Sequence, residues 1–407
     1  MRFFSNFHVK KIFHFGFGSI VAVVVSYLSM YIINSTLSRA QMGEYAHLFN
    51  ILNISVPLVS LSLYSAYLRF MPICNKFDLE VFVKTRLKAS FLVFSLLIYF
   101  YTGSVLIVSF AFILLVQERL YFFRSTLHIR NYNVLNISQK VIYLSVLVVF
   151  YFNYKLNAEI VFSLLGLSYF LSYLLSFFLN KYSDGEFLSS NNVQFNVVYK
   201  FCLMISMVSI INWILGISDQ FMIEYYYGKE QLAPYAVTFR IVSLLGLFSG
   251  IFLSYYPTMY YRDVELGITS NVLLIRKVFV IGFIFVSLSM IVLGDSLYVI
   301  FGASEYIQEI EYFYWLILGE FFRIIASINM TYRSFKLQQH YSIIILTATA
   351  VINVVFNFLY MEEFGSIVAC YSTLFSYLFY YLVSFLFSFM PEKKYFKEIS
   401  KSKVSAL

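Results

Sequence analysis

Apolar positions run along this chain in long stretches, broken by short clusters of Lys, Arg, Ser, Asn and Gly. About 20 apolar residues let one helix cross the hydrocarbon core of a bilayer. A helix also satisfies its own backbone polar groups there, which an isolated strand cannot do. The pattern predicts twelve spans, at about 12–36, 45–68, 88–102, 104–123, 139–154, 159–180, 199–223, 232–257, 273–292, 310–332, 342–360 and 365–389. Only Tyr101-Thr102-Gly103 separates the third span from the fourth, which suits a tight hairpin. The first apolar run follows a basic lead and reaches about Leu37, too long for a cleaved leader, so it is read as the first span. The expectation is an all-α polytopic membrane protein. It has a first lobe at 1–180, a linker at 181–197, a second lobe at 198–389 and a basic tail at 390–407.

Composition sharpens this. Of 407 residues, 60% are hydrophobic and 12% charged, against about a quarter charged in soluble domains. With 36 Tyr and 47 Phe, a single aromatic residue carries little functional signal. The formal charge of +8 does not point to nucleic acid, because the basic residues sit in short connections and form no stripe. Cys74, Cys202 and Cys370 make no CxxC pair, so neither a disulfide nor a metal site is expected.

Lys and Arg assign the sides. With both termini inside, the inner segments hold 24 of the 29 basic residues, and the outer connections gather Glu305, Glu309, Glu311, Glu362 and Glu363. That asymmetry follows the positive-inside rule. The most polar connection, Asn180 to Asn196, then lies inside, between two sets of six spans.

The two sets share short motifs. GEYAHLFNI, Gly43 to Ile51, returns as APYAVTFRI, Ala233 to Ile241, an offset of 190 residues. FRSTLHIRNY, Phe123 to Tyr132, returns as YRSFKLQQHY, Tyr332 to Tyr341, an offset of 209. Arg69 and Arg262 both end the second span of their half. Each pair falls at equivalent points of the expected topology. A duplicated six-helix unit with parallel halves is the reading, an arrangement that transporters use.

At these residues the chain resembles a known family. LSRAQMGEYAHLF, Leu37 to Phe49, resembles the outer-turn signature of O-antigen flippases, in the polysaccharide branch of the multidrug/oligosaccharidyl-lipid/polysaccharide exporter superfamily. SDQFMIEYYYGKEQLAPYAVTFRI, Ser218 to Ile241, is similar to its second-half version, and FGASEY, Phe301 to Tyr306, to the loop before the tenth helix. Ala233 departs from the pattern, standing where Gly is common. The resemblance implies a bacterial inner-membrane protein, multi-pass, with cytoplasmic termini. It would flip an undecaprenyl-pyrophosphate-linked oligosaccharide outward by alternating access, coupled to H+ or Na+. Membrane lipid, O-antigen polymerase and the chain-length machinery are the implied partners, with no cofactor.

Charges inside spans are costly and usually face a cavity or a partner. Arg240 lies about nine residues into the eighth span. Its planar fork suits a diphosphate, and the alternative is a structural Arg bonded to carbonyls or reaching outward. Glu320 and Arg323 share one face of the tenth span, where they either neutralise each other or act in coupling. Asp219, toward the outer end of the seventh span, is a partner for Arg240, a coupling site or an interfacial acid. Arg39, Arg69 and Arg124 are candidates to meet a phosphate, each set against a role as a solvated or topology-setting cation. Gly16 and Gly18 suggest a hinge in the first span, or close helix packing.

Two other classes compete. A drug or cation exporter of the same fold would favour unpaired acids in the first helix, and Ile12 to Ser35 has none. A membrane polymerase or glycosyltransferase needs catalytic groups on a large loop, and no outer loop here is large. No phosphate loop, HExxH or GxSxG motif is present, which leaves an ATP-driven pump without support in this chain.

Overall fold

A computed structural model describes residues 6–71, 76–102, 107–126, 128–179, 195–265, 268–336 and 338–404. The described residues are almost entirely helical. The chain divides into two compact units, Met1–Trp213 and Ile214–Leu407. Most of the expected linker, with Cys74 and Gly103, lies outside the described residues.

Unit 1 contains α1 (Asn6–Thr36), α2 (Arg39–Ser60), α3 (Ser65–Phe70), α4 (Lys76–Thr102), α5 (Ile107–Ser125), α6 (Ile129–Asn153), α7 (Ala158–Leu179) and the start of α8 (Phe195–Glu265). Here α1 packs on α6, while α5 and α6 pack on α7. Ser38 caps α2, its side chain accepting from the Gln41 amide, which satisfies one free donor of the first turn. The second span is not one continuous helix. After Pro57 the chain stops at Leu61 and Ser62, both left-handed (φ 46° and 50°), before α3 resumes. The start of α8 covers this break: Ser206 donates to the Pro57 carbonyl at 3.1 Å. Val198 and Cys202 complete the core beneath it with Leu63, Tyr67, Met71, Leu79, Val83 and Phe123.

Unit 2 contains the rest of α8, then α9 (Thr269–Val292), α10 (Gly294–Ile300), α11 (Ile310–Phe335), α12 (Gln339–Phe364), α13 (Val368–Ser384) and α14 (Met390–Val404). The turn expected between the seventh and eighth spans is Gly228, with φ 79° and ψ 178°. Only glycine adopts that conformation cheaply. Gly365, with φ 87°, makes the turn between α12 and α13. In this unit α11 packs chiefly on α13, which also carries α12.

One face of α9 presents Leu274, Val278, Ile281, Phe285, Leu288 and Val292 outward, with Val292 84% exposed. At roughly 25 cal/mol per Å² of apolar surface, such a stripe is costly in water and favourable in lipid. Eight stretches of the described residues are long and apolar enough to cross a membrane. The described residues of the twelve expected spans lie almost entirely on helices, and the chain is a polytopic membrane protein.

The repeated motif has one geometry in both units. Tyr45 and Ala46 are buried in α2, and Tyr235 and Ala236 in α8. Tyr45 stacks on Phe49 at 6.1 Å between ring centroids, and Tyr235 on Phe239 at 6.3 Å.

A candidate ion-coupling site in the second unit

The most constrained charge is Asp219 on α8, 1% exposed. Its carboxylate is held by neutral donors from three helices. The Tyr235 hydroxyl donates to Oδ2 at 2.9 Å, and Asn357 on α12 donates through Nδ2 to Oδ1 at 2.6 Å. The Thr373 hydroxyl on α13 also donates to Oδ2. Beside them, Ser218 donates to Asn353 Oδ1 at 3.1 Å, and Asn353 Nδ2 donates to the Ser372 hydroxyl at 3.3 Å.

Helical spacing explains the convergence. Asn353 and Asn357 are four apart on α12 and Ser372 and Thr373 adjoin on α13, so one face of each helix turns polar groups toward Asp219. Asn353, Asn357, Ser372 and Thr373 are all buried.

Two features make this more than a satisfied polar patch. The negative charge has no cationic partner among its hydrogen-bonding groups, which are all neutral. Asn357 Oδ1 is buried with no hydrogen-bond partner, a situation that costs free energy unless something else is bound. The donor set is hard oxygen with one carboxylate, which suits one positive charge without sulfur or imidazole.

Of the three readings of Asp219, pairing with Arg240 is not formed; Tyr235, Asn357 and Thr373 hold the carboxylate. Arg240 is half-buried on α8, one helical turn past Ala236. Glu320 and Arg323 do neutralise each other on α11. Arg323 Nε donates to Glu320 Oε2 at 2.6 Å, and a second guanidinium nitrogen reaches Oε1. Gly246 of α8 lies against this pair, where an added Cβ would sit 3.2 Å from Glu320 Oε1.

The remaining candidates are dispersed within unit 1. Arg69 is exposed at the end of α3, its guanidinium 5.9 Å from the Phe201 ring centroid. Arg124 is half-buried at the end of α5, and Arg39 half-buried at the start of α2. The α1 helix runs unbroken through Gly16 and Gly18. A side chain at Gly18 would collide with Asn133 of α6, so close packing accounts for that glycine. Cys202 and Cys370 are free and buried.

No family model and no curated protein sequence matches the chain. Solved structures do. An inward-facing multidrug resistance MATE family transporter of the MOP superfamily shares 11% identity, with a TM-score of 0.71 over 94% of this chain and 99% of its own. Its outward-facing counterpart gives a TM-score of 0.67 at 11% identity, covering 96% of each. A MOP superfamily transporter from Pyrococcus furiosus, described as having a binding pocket of reverse polarity that suggests a different function, gives 0.69 at 12%, over 95% of this chain and 96% of its own. The fold is therefore that of the MATE-type transporters.

Proposed function

We propose that this chain is a secondary transporter that moves an amphipathic solute across a bilayer by alternating access, driven by a monovalent cation at Asp219. One observation carries the coupling site: a buried carboxylate surrounded by neutral donors, beside an unpartnered amide oxygen. A proton or Na+ supplies the missing positive charge. Asp219 would hold it, with Asn357, Thr373 and Tyr235 as the other oxygen-bearing groups of the site. Binding then draws α8, α12 and α13 together, and release loosens them. That differential contact is what lets an ion bias a conformational equilibrium.

The solved-structure comparisons weigh toward a small amphipathic solute, since two of the similar proteins are described as multidrug transporters. The Pyrococcus protein's reversed pocket polarity supports variation of cargo on this fold. Residue chemistry supports the second reading, the lipid-linked oligosaccharide implied by the turn motifs. A half-buried arginine, Arg240, lies one turn beyond the repeated Tyr-Ala motif where unit 1 has Asn50, and an arginine fork binds a diphosphate well. On that reading the partners are the polyprenyl carrier and the polymerase and chain-length proteins, at a bacterial inner membrane.

Proteoliposomes test the coupling. Cation-driven solute flux should be lost in Asp219→Asn at normal protein levels; flux retained at the wild-type level would remove Asp219 from the mechanism. Two assays separate the cargoes. Rescue of surface polysaccharide in a strain lacking its O-unit flippase, falling in the order wild type, Arg240→Lys, Arg240→Ala, Arg240→Glu, supports the flippase. Efflux of a fluorescent lipophilic cation without such rescue supports the exporter.

A further inference from the structure

By composition the C-terminal segment is a basic, solvated tail. One face of its start, at Glu392 and Phe396, is instead buried in unit 2. Glu392 of α14 is 2% exposed; it accepts from the Tyr260 hydroxyl of α8 at 2.7 Å and from Arg276 of α9 at 2.6 Å. Another guanidinium nitrogen of Arg276 donates to Asn329 Oδ1 on α11, and its guanidinium carbon lies 4.6 Å from the Phe389 ring centroid. Asn329 in turn donates to the Ser384 hydroxyl of α13 at 3.1 Å, and its backbone carbonyl accepts from Ser388. Between α13 and α14, Phe385–Phe389 forms a π turn. Such a turn inserts one residue into the helix and re-aims the side chains that follow it. Phe396, one helical turn past Glu392, is buried as well.

Unit 1 builds the same group from other parts. Tyr67 stands two residues before Arg69, as Tyr260 stands two before Arg262. The Tyr67 hydroxyl donates to Glu118 Oε1 at 2.7 Å, and Arg119 Nε lies 3.5 Å from Glu118 Oε2. The carboxylate here comes from α5, six residues before Arg124. In the matching segment of α11, six residues before Arg333, stands Ser327, whose hydroxyl donates to the Arg323 carbonyl. The second repeat therefore has a serine where unit 1 has Glu118, and the carboxylate that meets Tyr260 comes from α14.

We propose that α14 is a clamp: its Glu392 takes the part that Glu118 plays in unit 1 and fastens the ends of α8, α9, α11 and α13 into one rigid body that transport requires, whichever solute is carried. Removing one member of a buried ion pair leaves the other charge uncompensated, whereas replacing both with apolar groups is far better tolerated. The full chain, with Cys74, Cys202 and Cys370 changed to Ser and Phe396 changed to Cys, reports the docking of α14. In detergent, Glu392→Ala should raise maleimide labelling at position 396 about tenfold or more and lower the melting temperature, and in proteoliposomes it should abolish cation-driven solute flux. Arg276→Met with Glu392→Met should restore protection at 396 and recover over half of the lost stability. If Glu392→Ala does not accumulate, recovery of accumulation in the double variant supports the clamp, and no recovery overturns it. Equal labelling at 396 with and without Glu392, or full transport by Glu392→Ala, also overturns it.

Discussion

Asp219 was visible in the sequence as an acid in an apolar span, but its neighbours were not. Neutral polar residues are scattered through every helix here, and nothing in one dimension says which of them meet. The usable signal was the pair Asn353 and Asn357, four apart on one helix face. Arg240 misled the pairing because opposite charges on adjacent spans invite it, while three hydroxyl and amide donors satisfy a carboxylate as well. A residue-scale prediction follows from Thr373. Its hydroxyl donates to Asp219, and a hydrogen bond to a charged group contributes about 1.5–3 kcal/mol. Thr373→Val keeps the shape and loses the hydroxyl, so half-saturating cation concentration in a flux assay should shift roughly tenfold or more. Thr373→Ser should stay near wild type. If Val and Ser behave alike, the hydroxyl plays no part in ion binding.

At the scale of elements, hydropathy located the helices but not their interruptions. The break at Leu61–Ser62 lies inside a continuous apolar run, and the α8 side chains that cover it come from more than a hundred residues away. The buried turn of α14 was hidden because a Lys-rich helix reads as solvated, while its fit depends on Tyr260, Arg276 and Asn329 from three other helices. Two glycines separate backbone need from packing need. Gly228 has φ 79° with open space around it, so Gly228→Ala should cost about 1–3 kcal/mol through backbone strain alone. No second-site change should recover it. Gly18 is helical and blocked by the Asn133 side chain. Gly18→Ala should also lower stability, but Asn133→Ala should restore it, because the obstruction is then gone. Thermal unfolding of purified protein for the two single variants and the double distinguishes the mechanisms.

At the scale of the whole chain, the duplication was legible because its motif does a structural job. Tyr45 with Phe49 and Tyr235 with Phe239 make the same stack on a buried tyrosine, so both copies face the same packing constraint. The copies diverge where function or assembly differs. Asn50 stands at the repeat position that Arg240 takes in unit 2, and the carboxylate that meets the tyrosine comes from α5 in unit 1 and from α14 in unit 2. From the charge bias we propose that α14 lies inside and the turn between α12 and α13 outside. Glu363 is exposed in that turn and Glu398 is exposed on α14, so both positions accept a reporter without disturbing the core. In a background with the native cysteines changed to Ser, Glu363→Cys should react with an impermeant thiol reagent in intact cells. Glu398→Cys should react only after permeabilisation. The opposite pattern would invert the whole assignment, and with it the direction in which Asp219 takes up its ion. Labelling of both in sealed cells would place them on one side and require an even number of crossings between Glu363 and Glu398, which the single span of α13 does not give unless α14 itself crosses.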